Sequence, residues 1–383
     1  MKTVCKLNQC TGCKACLEVC KKNAISIVDS LSTMNAFINE NLCINCGVCE
    51  KVCPNNNNKL KKSQPLEWYQ GWVDATRQTS SSGGVASGLI KSFIQNGGYV
   101  ASCLFKNGEF AFEITNDLNY AKKFAGSKYV KSNAQNIYQK VSEKIKEGHK
   151  VMFIGLPCQV AAVKNYMKNH DNLYTVDLIC HGSPSPQILS RFLYENNVDI
   201  KCIDDLKFRS KDGFGLQSGY KRISFDGNSD LYTFAFLTSL DYTENCYSCP
   251  YATLDRVSDI TLGDSWGSDL DTEEQKKGVS LILCQTKKGR ELLKNTKIEL
   301  RSVDLNKAVE SNHQLNHPSK MPPERKIFFK NIDKGFNRAI ARCHPKMYYI
   351  RRLKYFVNTI KFRGGSREVK IDMYDITYKI EKL

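Results

Sequence analysis

Two short runs hold eight of the seventeen cysteines in this 383-residue chain, and their spacing constrains the fold more than any other feature. The first reads Cys10-Thr-Gly-Cys13-Lys-Ala-Cys16-Leu-Glu-Val-Cys20, and the second Cys43-Ile-Asn-Cys46-Gly-Val-Cys49-Glu-Lys-Val-Cys53-Pro54. Both follow C-x2-C-x2-C-x3-C. The x2 steps wrap three thiolates around one corner of a cage, and the x3 step begins a helix that carries the fourth to a neighbouring site. In a small secreted chain such cysteines would form disulfides; clustered in a long intracellular chain they bind metal. C-x2-C is also zinc spacing, but zinc has no use for four cysteines repeated twice at this step.

The pattern is that of the bacterial two-cluster ferredoxins, where the fourth cysteine of each run ligates the other cluster. Residues 1–58 are therefore expected to form an α+β ferredoxin-like module with two 4Fe–4S clusters. Cys10, Cys13, Cys16 and Cys53 would hold the first, and Cys43, Cys46, Cys49 and Cys20 the second. Gly12 and Gly47 ease the tight turns, and short strands are expected at 24–28 and 35–38. Lys21 stands where proline often follows such a run. Cys5 belongs to neither set and reads as a spare or packing thiol. The polar, aperiodic stretch from Asn55 to Gln64 reads as a linker.

Beyond it, strands and helices alternate in a way that predicts an α/β body with parallel strands over 65–330. An N-terminal part would span about 65–145 and a C-terminal part about 150–330. The Ser81-Ser82-Gly83-Gly84 loop opens an amphipathic helix, which fits either an anion site or a plain helix start. Gly126-Ser127-Lys128-Tyr129 is a small turn of the kind that can hold a diphosphate. Two strands run into Gly155-Leu-Pro-Cys158-Gln159 and Cys180-His181-Gly182. Reactive groups in such sheets lie beyond the carboxyl ends of the strands, so Cys158 and Cys180 are expected to approach one another. Cys246-Tyr-Ser-Cys249-Pro250 supplies two more thiols. Together the four suffice for a third 4Fe–4S cluster; buried packing thiols are the competing reading.

These elements, in this order, resemble the coenzyme F420 hydrogenase/dehydrogenase beta-subunit family, from Cys10 to about Lys330. The marks are Ser81–Gly84, Gly126–Tyr129, Gly155–Gln159, Cys180-His-Gly-Ser-Pro-Ser185, Phe208-Arg-Ser-Lys-Asp-Gly213, the Cys246/Cys249 pair and Leu262-Gly-Asp-Ser-Trp-Gly267. The resemblance implies a flavin-binding catalytic body, with FAD held in part by Ser81, Ser82, Gly83 and Gly84 and by Gly126, Ser127, Lys128 and Tyr129. It also implies the body cluster on Cys158, Cys180, Cys246 and Cys249. The form of the motifs looks most like the branch found among polysaccharide-biosynthesis proteins. An oxidoreductase that passes electrons between clusters and FAD is expected, or an electron-transfer subunit serving a catalytic partner, or a redox scaffold in polysaccharide biosynthesis. His181 is a candidate proton donor, or a hydrogen-bond donor to a cluster sulfur. Arg209 and Lys211 read as an acidic-substrate site or a solvated loop. Asp264, beside Trp266, reads as a loop anchor or as packing.

The net charge of +17 is uneven. Between Lys320 and Lys370, fifteen Lys and Arg face three acidic residues, so 331–383 reads as a basic tail. Its amphipathic stretches fit a solvated face, docking to a ferredoxin or another redox protein, or peripheral contact with an anionic membrane. Nucleic acid is disfavoured because no recognition motif accompanies the charge. With no apolar run near the roughly 18 residues of a spanning helix and no signal-peptide core, a cytoplasmic protein is expected, peripheral to a membrane at most.

Overall fold

The computed structural model describes residues 2–56, 60–210, 213–219, 221–223 and 230–350. In the cysteine-rich module, β1 (Lys2–Thr3), β2 (Ile25–Asp29) and β3 (Met34–Ile38) form an antiparallel sheet in the order β1-β3-β2. Helices Ala15–Val19 and Val48–Val52 each follow a left-handed residue, Lys14 (φ 63°) and Gly47 (φ 69°). That backbone turn lets the chain fold back over its own cysteines before the x3 step becomes helical.

The body is built on β4 (Glu67–Trp72), β5 (Tyr99–Lys106), β6 (Glu109–Thr115), β7 (Val151–Gly155) and β8 (Leu173–Leu178). A small separate sheet holds β9 (Lys207–Ser210), β10 (Gly213–Ser218) and β11 (Lys221–Arg222), and β12 (Ile260–Asp264), β13 (Ser280–Cys284) and β14 (Glu299–Arg301) complete the main one. The main sheet runs β14-β4-β13-β12-β8-β7-β5-β6. The expected parallel arrangement holds at its centre, where β5, β7, β8 and β12 are parallel. Its flanks are antiparallel. β6 returns on β5 through Asn107-Gly108, both at positive φ, the turn chemistry of a tight hairpin. Val151–Gly155 is buried throughout, as its continuous apolar run requires of a strand covered on both faces.

Helix Val85–Gln95 covers one face, packing Leu89 and Phe93 with Val100, Met152 and Val176. On the other, helices Ile137–Lys146 and Pro157–Tyr166 lie between the sheet and the module. Cys13, Cys16 and Val52 there share one core with Tyr138, Val141, Phe153 and Val160. The Asn55–Gln64 stretch is bound at both ends: Asn56 Nδ2 donates to the Val4 carbonyl at 2.6 Å, and Ser63 pairs with Arg256. A further core gathers Phe192, Phe208, Tyr232 and Phe328, and it continues past residue 330. Helix Phe336–Cys343 buries Phe336, Ala339, Ile340 and Cys343 in it. The apolar face of Arg338–Arg342 is thus used within the fold, which leaves its arginines to solvent. The second basic stretch, from Tyr348 to Val357, lies outside the described residues beyond Ile350. No described helix is long and apolar enough to cross a membrane.

Candidate metal centres

The first thiol set is enclosed. Cys10, Cys13, Cys16 and Cys53 are each 6–8% exposed and line one cavity, with Cys5 on the same wall. The Gly12 amide donates to Cys10 Sγ at 3.4 Å. Burial and the neighbouring Cys53 and Cys10 push the Cys13 thiol up to about 12, and burial with its thiol neighbours drives Cys16 higher still. Cys10 is lowered to about 7, chiefly by a hydrogen bond from the Cys5 thiol, which lowers Cys53 as well. Sulfurs crowded in this way ionise together only around a compensating polycation. The set therefore fits an iron–sulfur centre, and Cys5 packs into the same cavity wall.

The second set is open. Cys46 is exposed, and Cys20, Cys43 and Cys49 are partly so. Backbone amides already point at two of its sulfurs, Asn45 N–H to Cys43 at 3.4 Å and Ala24 N–H to Cys20 at 3.3 Å. Leu42, Ile44 and Val48 stand around it, 50%, 63% and 42% exposed.

The four body cysteines also come together. Cys158 begins the helix after β7, Cys180 lies two residues beyond β8, and Cys246 and Cys249 flank the end of the 3-10 turn Glu244–Ser248. All four line a single cavity. Adjacent parallel strands deliver the first two to neighbouring loops. Burial pushes Cys180 up to about 12, with Cys246 and Cys249 adding to it, and raises Cys158 and Cys249 in the same direction. The donor set has the same chemistry as the first. Gln9, Thr11 and Asn55 of the module complete the wall, so the two regions share this cavity. Among the described residues no three His, Cys, Asp or Glu side chains converge as a single ion requires; the thiols surround cavities instead.

Several residues that build the wall carry no signal in the spacing. Arg256 is 3% exposed and pairs with buried Asp177 at 3.0 Å. It also donates to the Tyr251 carbonyl at 2.7 Å, tying the segment after Cys249 to β8. Gly182 holds φ +147°, and a Cβ there would lie 2.2 Å from the Tyr242 ring, so only glycine lets this loop close on the core. His181 lines the cavity, and its Nδ1 meets Gln314 Nε2 at 2.7 Å. Burial lowers the imidazole to about 4, with nearby His313 adding to it, so the ring is neutral near pH 7.

The two expected flavin turns meet: the Ser127 amide donates to Ser81 Oγ at 3.1 Å. Gly126 faces open space. By contrast, Ser82 Oγ donates to the Val279 carbonyl and the Gly83 amide to Ser280 Oγ. A Cβ on Gly83 would strike Gly71 O at 2.4 Å, and one on Gly84 the Arg77 amide at 2.8 Å. Those glycines are accounted for by packing at the start of the helix. Lys128 Nζ donates to the Phe124 and Ala125 carbonyls, and Tyr129 stacks on Phe236 with centroids 4.4 Å apart. A flavin would thus be met by Ser81, Gly126 and Ser127, with Ser82–Gly84 turned into the protein. Arg209 pairs with Asp264 and lies over Phe214, uniting two motifs that are far apart in the chain. Lys211 lies outside the described residues.

With this geometry in place, two parts of the chain match known protein families. Residues 9–57 match the 4Fe–4S dicluster domain, which answers the zinc alternative. Residues 148–307 match the C terminus of the coenzyme F420 hydrogenase/dehydrogenase beta subunit. Residues 148–307 thus carry the C-terminal domain of that beta-subunit family, behind a 4Fe–4S dicluster domain at 9–57. It is 40% identical over 331 residues to the coenzyme F420-dependent sulfite reductase of Methanocaldococcus jannaschii, covering 80% of this chain and 48% of that protein. The chain thus spans about half the length of this curated relative. A chain of the F420-reducing NiFe hydrogenase complex from Methanosarcina barkeri superposes with TM-score 0.47 at 17% identity, over 72% of this chain and 96% of that one.

Proposed function

We propose that this chain is an iron–sulfur flavoprotein oxidoreductase that exchanges single electrons at its module and two electrons at its body. The observation that carries the reading is the shared cavity, in which Cys158, Cys180, Cys246 and Cys249 face Gln9, Thr11 and Asn55 of the module. Clusters held by these thiol sets would store one electron each, and FAD would join them to two-electron chemistry. Cys10, Cys13, Cys16 and Cys53 would hold the inner module cluster, Cys20, Cys43, Cys46 and Cys49 the outer one, and the body set a third.

The chain's own residues supply the rest. The Asp177–Arg256 pair keeps the Cys249 segment against β8, and Gly182 lets the His181 loop pack on Tyr242. Ser81, Gly126 and Ser127 would meet the flavin. Neutral His181, held beside Gln314, would offer a ring N–H to a sulfur, which favours the hydrogen-bonding role over proton donation. The name of the sulfite reductase relative supports a deazaflavin of the F420 type as hydride partner, and the motif forms support a polysaccharide-biosynthesis setting as the alternative. Service to a separate catalytic subunit is favoured by one observation, the exposed apolar rim around Cys46.

Anaerobically purified protein is expected to contain about twelve irons and to release FAD on denaturation. A reproducible eight irons would remove the body cluster, and absence of released flavin would remove the two-electron half. Reduction by F420H2 against reduction by a ferredoxin identifies the physiological electron donor.

A further inference from the structure

Lys131 is 8% exposed, and its ammonium donates to the Thr11 carbonyl at 3.0 Å. Thr11 sits between Cys10 and Gly12, the residue whose amide donates to Cys10 Sγ. The same lysine lines the cavity of Cys158, Cys180, Cys246 and Cys249. Its own amide donates to the Pro184 carbonyl at 3.0 Å, within the Cys180–Ser185 segment. One residue is therefore tied to the loops of both thiol sets. Burial alone would drive an ammonium towards neutrality. The thiols of Cys158, Cys180, Cys246 and Cys249 stand around the same cavity, so ionised sulfur is the charge within its reach. Its bonded partner is a carbonyl, so the charge it answers is that of the sulfurs.

We propose that Lys131 is the shared counter-charge of the Cys10–Cys53 set and the body set, a positioning residue that raises the reduction potential of both centres. The proposal rests on the reading above that both sets hold clusters. A fixed cation in a low-dielectric wall stabilises the more negative, reduced form of any centre beside it. The exposed set of Cys20, Cys43, Cys46 and Cys49 lacks this neighbour and lies nearer water. Water stabilises the reduced form at that open set, and the lysine supplies the matching stabilisation where burial excludes water.

The test is an EPR-monitored redox titration of the intact protein, carried out on wild type, Lys131→Met and Lys131→Arg with iron counted in each. Methionine keeps length and apolar bulk but removes the charge; arginine keeps the charge. In the methionine variant, with about twelve irons retained, two centres are expected to become about tenfold harder to reduce at a fixed potential. For one electron that is about 59 mV. The third centre is expected to stay put, and arginine to restore the other two. Unmoved potentials, a shift in one centre only, or an equal shift with arginine would overturn the proposal. Iron lost from the methionine variant would also overturn it, placing the lysine in site assembly. Wild-type protein with eight irons would instead remove the three-cluster reading, and the inference with it.

Discussion

The two thiol sets are drawn from runs of the same spacing yet sit in opposite environments. Cys10, Cys13, Cys16 and Cys53 are nearly inaccessible, whereas Cys46 is exposed and ringed by Leu42, Ile44 and Val48. The body makes the difference. Tyr138 OH donates to the Cys13 carbonyl at 2.7 Å, Asn165 to the Val52 carbonyl at 3.2 Å, and Tyr251 to the Pro54 carbonyl at 3.0 Å. These contacts cover one end of a pseudo-symmetric module and leave the other bare. Burial, hydrogen bonds and solvent access set cluster potentials, so equal ligand spacing does not make equal centres. The open end suits exchange with a partner, and the covered end suits delivery to the body.

The comparison breaks most severely if the body wall is undone. Arg256→Ala leaves Asp177 buried without its cation, and the loss is expected to be about 3–5 kcal/mol. Denaturant unfolding should show it, together with loss of the body's iron ahead of the module's. Equal loss from all sites would mean that the wall does not distinguish inner from outer.

Asp241 tests the same buried side from another direction. It is fully buried, neither carboxylate oxygen has a partner among the described residues, and burial raises it to about 8. Arg325 opposes that rise, and Tyr232, Tyr242 and Tyr247 stand near it. Because the folded chain holds this proton more tightly than the unfolded chain, stability falls as pH climbs from the normal carboxylate range to about 8. Asp241→Asn should raise stability at pH 7 by an amount on the order of 4 kcal/mol. The gain should vanish below about pH 4. Melting temperatures of both proteins across that range check it; parallel curves would refute the assignment.

Smaller effects sharpen the contrast. Tyr138→Phe leaves the Cys13 carbonyl without its donor at the covered end, which should cost about 1–3 kcal/mol. The altered potential should appear in the inner centre alone. Ile44→Ser at the open end should change stability by no more than about 0.5 kcal/mol. It should slow reduction by a protein donor while leaving reduction by dithionite unchanged. An equal slowing with both reductants would remove the docking role of the rim.

Much of the molecule was legible from local pattern. The C-x2-C-x2-C-x3-C steps specify turns and helix starts within a dozen residues, so the clustering of these thiols could be expected without knowing the fold. The strand–loop–helix units around Cys158 and Cys180 were legible for the same reason, since apolar runs and the turns that end them are short-range features. The antiparallel flank β14-β4-β13 was not, because pairing between β4 and β13 joins segments about two hundred residues apart. The helix at Phe336–Cys343 read as a basic tail because its charges are conspicuous in sequence, while the core that receives its apolar side is assembled from remote elements.

What the sequence determined by itself is the inventory: two ferredoxin runs, a C-x2-C pair, and two more thiols at strand ends. Only the tertiary structure decided which thiol set is covered, that four distant body thiols share one cavity, and that Lys131 is tied to the loops of two sulfur sets. Ligand spacing is a covalent, local property of the chain. Burial and shared charge arise only when segments far apart in sequence exclude water together, and no local pattern encodes that.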